Sequence, residues 1–142
     1  QKLVKKFGQD LIVPVCAKIE FELSGMEEED QNQIRTMLGI NNSGIDSIIS
    51  KTFQHLDLIS FFTCGPKEIH AWPIKKGLNI RRAAGEIHTD LEKGFICAEV
   101  FNYNDLITYG TTLKLKEAGK IRTEGKDYII QDGDIVLVKF NV

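Results

Sequence analysis

Residues 58–74, LISFFTCGPKEIHAWPI, decide the fold class of this chain. Apolar residues dominate 58–63 and 68–74, and between them stand Gly65 and Pro66, which are typical of a turn. Two short apolar runs separated by a turn signal predict a β-hairpin.

The elements that follow the hairpin complete an α+β pattern. Asn79 is a suitable cap for a helix through the 80s that Gly94 ends. Strands are expected at 95–101, 128–130 and 135–140, with a short helix at 113–118 and a turn at 132–134. Strand, strand, helix, strand, strand, strand predicts one helix packed on a mixed sheet. A ubiquitin-like β-grasp is the commonest small architecture with this order.

Residues 1–57 follow a different pattern. The apolar run 11–15 predicts a strand buried on both faces, as in a parallel sheet, although Pro14 favours a strand end. Two amphipathic helices are expected at about 26–38 and 43–57, with Gly39 ending the first and Asn42 or Ser43 capping the second. This part carries 6 basic and 9 acidic residues, whereas 58–142 carries 12 and 11. We therefore expect two domains, 1–57 and 58–142.

Composition narrows the class of protein. The chain has 142 residues, is 42% hydrophobic and carries a net charge of -2, which excludes whole-chain disorder and a polybasic tail. Its three cysteines are not spaced as a metal knuckle and are typical of reduced thiols in the cytoplasm. No apolar run is long enough for a membrane helix, and we expect no signal peptide.

Two stretches imitate a phosphate-binding loop. Residues 39–44 have the required spacing between Gly39 and Gly44, but Ile45 stands where the lysine is needed. Residues 119–126 have one spacer residue too many, and Asp127 replaces the hydroxyl residue. We interpret both stretches as turns.

The remaining candidate sites of catalysis or metal binding are weak. His55, His70 and His88 show no metal spacing. His88 with Asp90 resembles a base and its orienting carboxylate, but helix capping is the simpler interpretation. Asp132 and Asp134 resemble half a calcium loop, and a hairpin turn explains them better.

Two basic clusters are candidates for binding RNA phosphate. The first brackets a predicted helix start, which favours anions; it consists of Lys75, Lys76, Arg81 and Arg82. The second consists of Lys114, Lys116, Lys120, Arg122 and Lys126. They form one binding face only if the fold brings them together, and a solvated surface is the alternative. Trp72 and Tyr103 are candidates for stacking on bases.

Longer motifs resemble a known family. Residues 61–72 (FFTCGPKEIHAW), 83–95 (AAGEIHTDLEKGF) and 116–134 (KEAGKIRTEGKDYIIQDGD) are very similar to the C-terminal TGS domain of the Obg-like ATPases, the YchF family. The chain also ends at 140–142 as that family does. Residues 11–57, beginning with VPVCAKIE at 13–20, resemble the closing part of that family's P-loop α/β G domain.

The resemblance implies a function and a cellular location. The family comprises translation-factor-class P-loop NTPases that hydrolyse ATP in preference to GTP, use Mg and associate with ribosomes in the cytoplasm. Its TGS domain resembles those of threonyl-tRNA synthetase and the stringent-response synthetases, and is thought to bind RNA or the ribosome. A β-grasp TGS domain at 58–142 and a G-domain remnant at 1–57 are therefore expected.

The resemblance also implies what this chain lacks. The family's phosphate loop, switch regions and base-specificity motif lie upstream of the matched segment. Only Cys16, Ala17 and Lys18 are carried over, as neighbours of the nucleotide base. We expect a C-terminal part of such an ATPase that alone is inactive, binds no ATP or Mg, and needs the rest of the G domain and the helical domain.

Two residues differ from the family's pattern, and one alternative function is left open. His70 and Cys97 stand where many members have Arg, which weakens the case for an RNA contact through the outside of the sheet. The alternative is a standalone TGS-type module that binds RNA or protein without enzymatic activity. A phosphate loop encoded upstream of Gln1 would favour the first hypothesis, and a start codon near Gln1 the second.

Overall fold

The computed structural model describes residues 2–40, 42–65 and 68–141. The chain divides into two compact units, Gln1–Leu56 and Asp57–Val142, called here the N-terminal and the C-terminal unit. The assignment of these parts to named domains stays a prediction. Pro66 of the predicted turn and Val142 of the C-terminal motif lie outside the described residues. No helix in the described part of the chain is long and apolar enough to cross a membrane.

The described part of the N-terminal unit is helical. Its α-helices are α1 (Lys2–Phe7), α2 (Ala17–Leu23), α3 (Glu28–Met37) and α4 (Gly44–His55), with a 3-10 turn at Gln9–Leu11. The two helices expected at about 26–38 and 43–57 are thus present as α3 and α4, whereas α2 was not expected.

Local sequence explains the ends of α3 and α4. Three acidic residues occupy the first turn of α3, where they oppose the positive end of the helix dipole. Gly39 adopts a left-handed backbone (φ 69°) just after that helix, and the amide of Ile40 bonds back to the carbonyl of Arg35 at 2.8 Å. The Ser43 hydroxyl accepts a hydrogen bond from the Ile45 amide at 3.2 Å and caps α4.

The strand predicted at 11–15 is wrong. The chain leaves the 3-10 turn and runs extended without strand pairing to Cys16, and Leu11 and Val15 are exposed. An extended segment becomes a strand only when a neighbour accepts and donates its backbone hydrogen bonds, and Pro14 has no N–H to offer. Among the described residues of the N-terminal unit no strand supplies that partner.

The C-terminal unit contains a five-strand mixed sheet in the order β2-β1-β5-β3-β4. Its strands are β1 (Leu58–Cys64), β2 (Ile69–Lys75), β3 (Phe95–Asn102), β4 (Arg122–Glu124) and β5 (Asp134–Phe140). Its helices are α5 (Ile80–Ile87), α6 (Thr89–Lys93), α7 (Tyr103–Tyr109) and α8 (Thr112–Glu117). The unit is therefore α+β, as expected.

The strand pairing confirms the predicted hairpin. β1 and β2 are antiparallel, with Phe61 opposite Trp72. β5 is parallel to β1 and antiparallel to β3, which pairs on its other side with β4. β2 and β4 are thus the two edges of the sheet.

The two faces of the sheet carry separate apolar cores. The larger core joins β-strand side chains such as Phe61, Val100 and Val136 to Ile80 and Ala83 of α5. The smaller core lies on the opposite face and joins Phe101 and Ile135 to Leu115 of α8. Because side chains alternate along a strand, neighbouring residues of β3 and β5 point into different cores.

Two expectations for the C-terminal unit were wrong, and one helix was not expected. Residues 128–130 form only an isolated bridge, between Ile129 and Asn79, and the edge position is taken by β4. The helix of the 80s stops at His88, whose ring accepts the Asp90 amide at 3.2 Å and caps α6 as a separate helix. α7 was not expected, although the Asn102 side chain caps it.

Residues 132–134 form the expected turn, but not a hairpin. Gly133 has φ 82° and the Asp134 amide bonds to the carbonyl of Gln131 at 3.2 Å. The Asp132 carboxylate accepts the Ser60 amide at 2.8 Å, which anchors the turn to β1. The hairpin fails because residues 128–130 are not a strand, so the turn leads from a loop into β5.

Candidate nucleic-acid interface

The first basic cluster lies where β2 passes into α5. Lys75 ends β2, Lys76 follows it, and Arg81 and Arg82 stand in the first turn of α5, which holds no acidic residue. The Asn79 side chain accepts the Arg82 amide at 3.0 Å and fixes the start of the helix. The structure therefore gathers all four residues at one end of the C-terminal unit.

Two members of this cluster are available to an external anion. The Arg81 Nε donates to the carbonyl of Glu92 at 3.1 Å, so this side chain is held along α5 and α6. Within the described residues, the exposed side chains of Lys76 and Arg82 form no hydrogen bond or ion pair. An exposed cation without an acidic neighbour is the type of group that binds backbone phosphate.

The second basic cluster is divided by the fold. Lys114 and Lys116 lie on α8, which packs on the face opposite α5, and Lys120 follows that helix within 3.5 Å of Asp105. Arg122 pairs with Val100, so its side chain leaves β4 on the α5 side. The two clusters therefore do not form one continuous face.

A hydrogen-bonded network holds Arg122 at the edge of the sheet. Its Nη2 donates to the Tyr128 hydroxyl at 3.0 Å, and that hydroxyl donates to the Asp134 carboxylate at 2.8 Å. Burial, followed by the bond to Asp134, raises the pKa of the Tyr128 hydroxyl. The bond to Tyr128 raises the pKa of Arg122, so this cation is a fixed part of the network.

Backbone hydrogen bonds join the loop that follows β4 to the start of α5. The carbonyl of Tyr128 accepts the Ile80 amide at 2.8 Å, and the Ile130 amide bonds to the carbonyl of Leu78 at 3.2 Å. The loop that contains Lys126 is thereby fixed to the start of α5. Arg122 therefore leaves the sheet on the α5 side and Lys126 belongs to a loop joined to the start of α5, whereas Lys114 and Lys116 lie on α8, on the opposite face.

Cys16, Ala17 and Lys18 form the start of α2. Cys16 precedes the helix with an extended backbone, and its carbonyl accepts the Glu20 amide at 3.1 Å. All three residues are exposed, and Lys18 is 3.9 Å from Glu22 with 83% of its side chain accessible. Residues 16–18, which the family resemblance places beside the nucleotide base, are thus exposed at the start of a helix.

At the end of the stretch 39–44, the amide of Gly44 is already bonded to a side chain of the protein itself. The Glu20 carboxylate accepts the Gly44 amide at 2.7 Å and the Arg35 guanidinium at 3.1 Å. The bond from Gly44, reinforced by Arg35, lowers the pKa of Glu20, so a negative charge occupies the start of α4. A phosphate would meet that charge, and this stretch does not fit a nucleotide.

The second glycine-containing stretch, 119–126, does not form a single loop, because residues 122–124 within it form β4. Gly119 ends α8 with φ 67°, and Lys120 is directed to Asp105. In the residues that the structure describes, no group of three or more His, Cys, Asp or Glu side chains is placed to hold a metal ion.

The histidines and aromatic residues have structural contacts. Trp72 donates its indole N–H to the Thr63 hydroxyl at 3.0 Å, and its ring lies 4.2 Å from that of His70. Tyr103 is half exposed, with its ring 6.2 Å from Phe62. His55 ends α4. Trp72 is thus partly buried against the larger core, and Tyr103 is the more accessible aromatic ring.

The two departures from the family's pattern lie on different faces. His70 shares the α5 side of β2 with Trp72, whereas Cys97 lies opposite Lys139, on the other face. Both are peripheral to the first basic cluster. The two positions therefore do not act on a single face, and their effect on an RNA contact stays a prediction.

Sequence reasoning missed both polar networks, Glu20 with Arg35 and Tyr128 with Asp134. In the first, the partners are 15 residues apart and lie on different helices. In the second, Asp134 was interpreted as a turn residue, although the structure buries it to 1% exposure. A buried carboxylate has no local sequence signal, because its partners are chosen by the fold.

Comparisons with known proteins agree on one family. The profile of YchF-GTPase_C, described as a protein of unknown function (DUF933), matches residues 58–141. The ribosome-binding ATPase YchF of Bacillus subtilis (strain 168) is 45% identical over 131 residues, which cover 92% of this chain and 36% of that protein. The protein of the same name from Buchnera aphidicola subsp. Acyrthosiphon pisum (strain APS) is 45% identical over 99% of this chain and 39% of its own length. The chain thus spans well under half the length of these relatives.

Solved structures give the same result. The Schizosaccharomyces pombe YchF GTPase matches 97% of this chain and 36% of its own chain, with a TM-score of 0.82 and 36% identity. A GTP binding protein from Pyrococcus horikoshii OT3 matches 99% of this chain and 41% of its own, with a TM-score of 0.66 and 24% identity. The second likeness concerns the fold alone.

Proposed function

This chain belongs to the YchF family, and from that premise we propose that it forms part of a longer ribosome-binding ATPase. In this proposal the C-terminal unit is a ubiquitin-like TGS domain that contacts RNA or the ribosome. The N-terminal unit is the closing part of the G domain. The names of the bacterial relatives, ribosome-binding ATPase YchF, carry the proposal.

The geometry of the first basic cluster supports the RNA-contacting role. Lys76 and Arg82 offer unpaired cations beside the start of α5, and Lys126 is tied to the same end of the unit. Phosphate contacts of this kind need no base-specific groups. We therefore propose Lys75, Lys76, Arg81, Arg82 and Lys126 as the primary contact, with Lys114, Lys116, Lys120 and Arg122 secondary to it.

The five-strand mixed sheet with a capped helix on one face supports the β-grasp TGS assignment. In the longer protein, Cys16, Ala17 and Lys18 would lie against the nucleotide base, which their exposed position at the start of α2 permits. ATP and Mg would be held by parts of the longer protein that precede the matched segment. This chain by itself would not turn over ATP.

Co-sedimentation with ribosomes at low and moderate salt tests the proposal. We expect the 142-residue chain to pellet with ribosomes at low salt and to be released as salt rises, because phosphate binding releases counterions. Replacing Lys76 and Arg82 together by Gln should weaken binding and reduce the slope of log affinity against log salt by about two units, one for each charge.

Two controls make this experiment decisive. Replacing Lys2 and Lys5 of α1 by Gln removes the same charge and should leave the salt slope unchanged. Equal losses in both double variants would indicate a general charge effect and contradict the assigned surface. Ribosome-independent ATP hydrolysis by the purified wild-type chain would contradict its proposed inactivity.

A further inference from the structure

The face of the sheet opposite α5 contains an open groove beside α8. The groove has a volume of about 390 Å³, within the range of roughly 300–1,000 Å³ that is common for small-molecule sites. Phe101, Ile135 and Leu137 contribute its floor, and Leu113 and Ile121 contribute its walls. It is therefore a concave, mainly apolar site, and Lys116 is the member of the second basic cluster that lines it.

The apolar lining is only partly covered by the protein itself. Phe101 and Ile135 are buried in the smaller core, but Leu137 is 50% exposed and Leu113 is 67% exposed. Removing exposed apolar area of this kind from water favours binding of an apolar group. A nucleic-acid backbone offers no such group.

Two polar side chains stand together at the rim. Thr112 and Lys116 line the groove four residues apart on α8, so they are neighbours on one face of the helix. The other charged residue of the lining, Glu99, is paired with Lys139. In the described part of the chain Lys116 has no ion pair, so the groove carries one uncompensated positive charge.

We propose that this groove binds a small organic acid with a compact aromatic or branched aliphatic body. The apolar body lies on Leu137 between Leu113 and Ile121. The carboxylate lies at the rim, where Lys116 supplies the charge and the Thr112 hydroxyl a hydrogen bond. This site goes beyond the proposed ribosome contact, and binding of the acid requires neither RNA nor nucleotide.

Methyl NMR on the full 142-residue chain tests the proposal with two probes. Indole-3-acetate carries the carboxylate, and 3-methylindole presents a similar apolar body without charge. We expect saturable shifts of the Leu113, Ile121 and Leu137 methyl groups with indole-3-acetate, and weaker binding of 3-methylindole at the same methyls. The Ile107 methyls on α7, which are exposed but outside the groove, should not shift.

Substitutions separate the charge contribution from the apolar contribution. Lys116→Gln should weaken indole-3-acetate about threefold, as for an exposed ion pair, and leave 3-methylindole unchanged. Lys114→Gln, on the same helix but outside the groove, is the matched control and should change neither. Leu137→Glu should abolish binding of both probes, whereas Ile107→Glu should not.

Three results would overturn the inference. The first is the absence of saturable shifts up to the solubility limit of indole-3-acetate. The second is equal effects of the Lys116 and Lys114 substitutions, and the third is shifts of the Ile107 methyls at the same probe concentration. Retained dispersion of the Val100 and Val136 methyls in the larger core shows that a variant is folded, so loss of binding is not loss of structure. None of these outcomes depends on ribosome binding.

Discussion

Glu20 links three parts of the N-terminal unit through one carboxylate. It stands on α2, accepts the first amide of α4 from Gly44, and pairs with Arg35 near the end of α3. Each contact favours the charged form of the carboxyl group. Protonation of the Glu20 carboxyl group therefore weakens the contacts that hold α2, α3 and α4 together.

We predict that Glu20 titrates below its usual pKa of 4.5, because the Gly44 amide and Arg35 lower its folded-state pKa. A carboxyl group with a depressed folded pKa contributes stability that is fully present above the unfolded pKa. That contribution is lost as the pH falls through the folded value. The Gly44 amide shift followed against pH measures the midpoint.

Substitution provides the control for this titration. Glu20→Gln should reduce helix content and remove the acid dependence of the Gly44 shift below pH 4.5. Glu22→Gln, on the same helix, should preserve the helix content and the acid dependence of the Gly44 shift. Glu22 is exposed, and its ion pair with Lys18 is long, at 3.9 Å, so it contributes little. A Gly44 midpoint at or above 4.5 would contradict the assigned contacts.

In the C-terminal unit, Asp134 is a carboxylate that, like Glu20 in the N-terminal unit, accepts several hydrogen bonds. Its carboxylate is buried and accepts hydrogen bonds from the Tyr128 hydroxyl at 2.8 Å and the Gln131 amide at 2.9 Å. We predict that Asp134→Asn lowers the free energy of unfolding by about 1–3 kcal/mol, because the neutral amide loses the charge that strengthens both bonds and turns an NH₂ donor toward Arg122. Urea denaturation measures the change.

Tyr128→Phe serves as the comparison for that substitution. It removes the hydrogen bond that the hydroxyl donates to Asp134 and the one it accepts from the half-exposed Arg122, but leaves the Gln131 contact, so we expect a loss of about 1 kcal/mol. If Asp134→Asn proved less destabilising than Tyr128→Phe, the carboxylate would not be the centre of the network.

At the scale of elements, the start of α5 determines the position of the first basic cluster. The Asn79 side chain accepts the Arg82 amide, and Ile80, Ala83 and Ala84 of this helix are buried. We predict that Asn79→Ala destabilises the protein by about 1 kcal/mol through loss of the cap, while Asn79→Asp retains most of the stability. Urea unfolding measures the free energy of both variants.

The cap also predicts a local effect. Amide hydrogen exchange at Arg82 should accelerate in Asn79→Ala and stay slow in Asn79→Asp, because only the aspartate keeps a side-chain oxygen for that amide. Equal exchange in the two variants would show that the side chain is not the cap.

At the scale of the whole molecule, the two units differ in how much apolar surface they bury. Among the described residues of the N-terminal unit, Leu23 is the one buried hydrophobic residue, at 2% exposure. Phe21, Met37 and Ile45 remain exposed there. The C-terminal unit buries the remaining core residues, all except Ala84 in two clusters. Apolar burial is the main favourable term in folding, so the units should differ in stability.

We predict that amides of α3 and α4 exchange hydrogen far faster than those of β1, β3 and β5 in the intact chain. Exchange through local opening follows the local free energy, which is low where few apolar groups are buried. Mass spectrometry of the exchanging chain measures both units in one sample. Equal protection of the two units would contradict this division of stability.

The exposed apolar side chains of the N-terminal unit have a second consequence. Large apolar surfaces promote association, so the exchange of α3 and α4 should slow as protein concentration rises, whereas that of the sheet should not change. Dilution of the same sample is the control, because it reverses association without altering the sequence.

The sequence correctly predicted those elements that depend on residues close together in the chain. The hairpin of β1 and β2, the caps at Ser43 and Asn79, and the ends of α3 and α8 at glycine all follow from short-range preferences. The strand expected at 11–15 and the one at 128–130 failed for one reason. An apolar run becomes a strand only when the fold brings a partner to its edge.

For the candidate site, too, some properties follow from the sequence and others depend on the fold. The α+β class of the C-terminal unit, the family resemblance and the identity of the basic residues could all be read from the sequence. The three-dimensional fold was needed to show that Lys114 and Lys116 lie on the face opposite α5, that Glu20 occupies the start of α4, and that Asp134 is buried. The physical reason is that side-chain chemistry and backbone preference act within a few residues, whereas burial and charge pairing depend on neighbours that chain topology brings together from far apart in sequence.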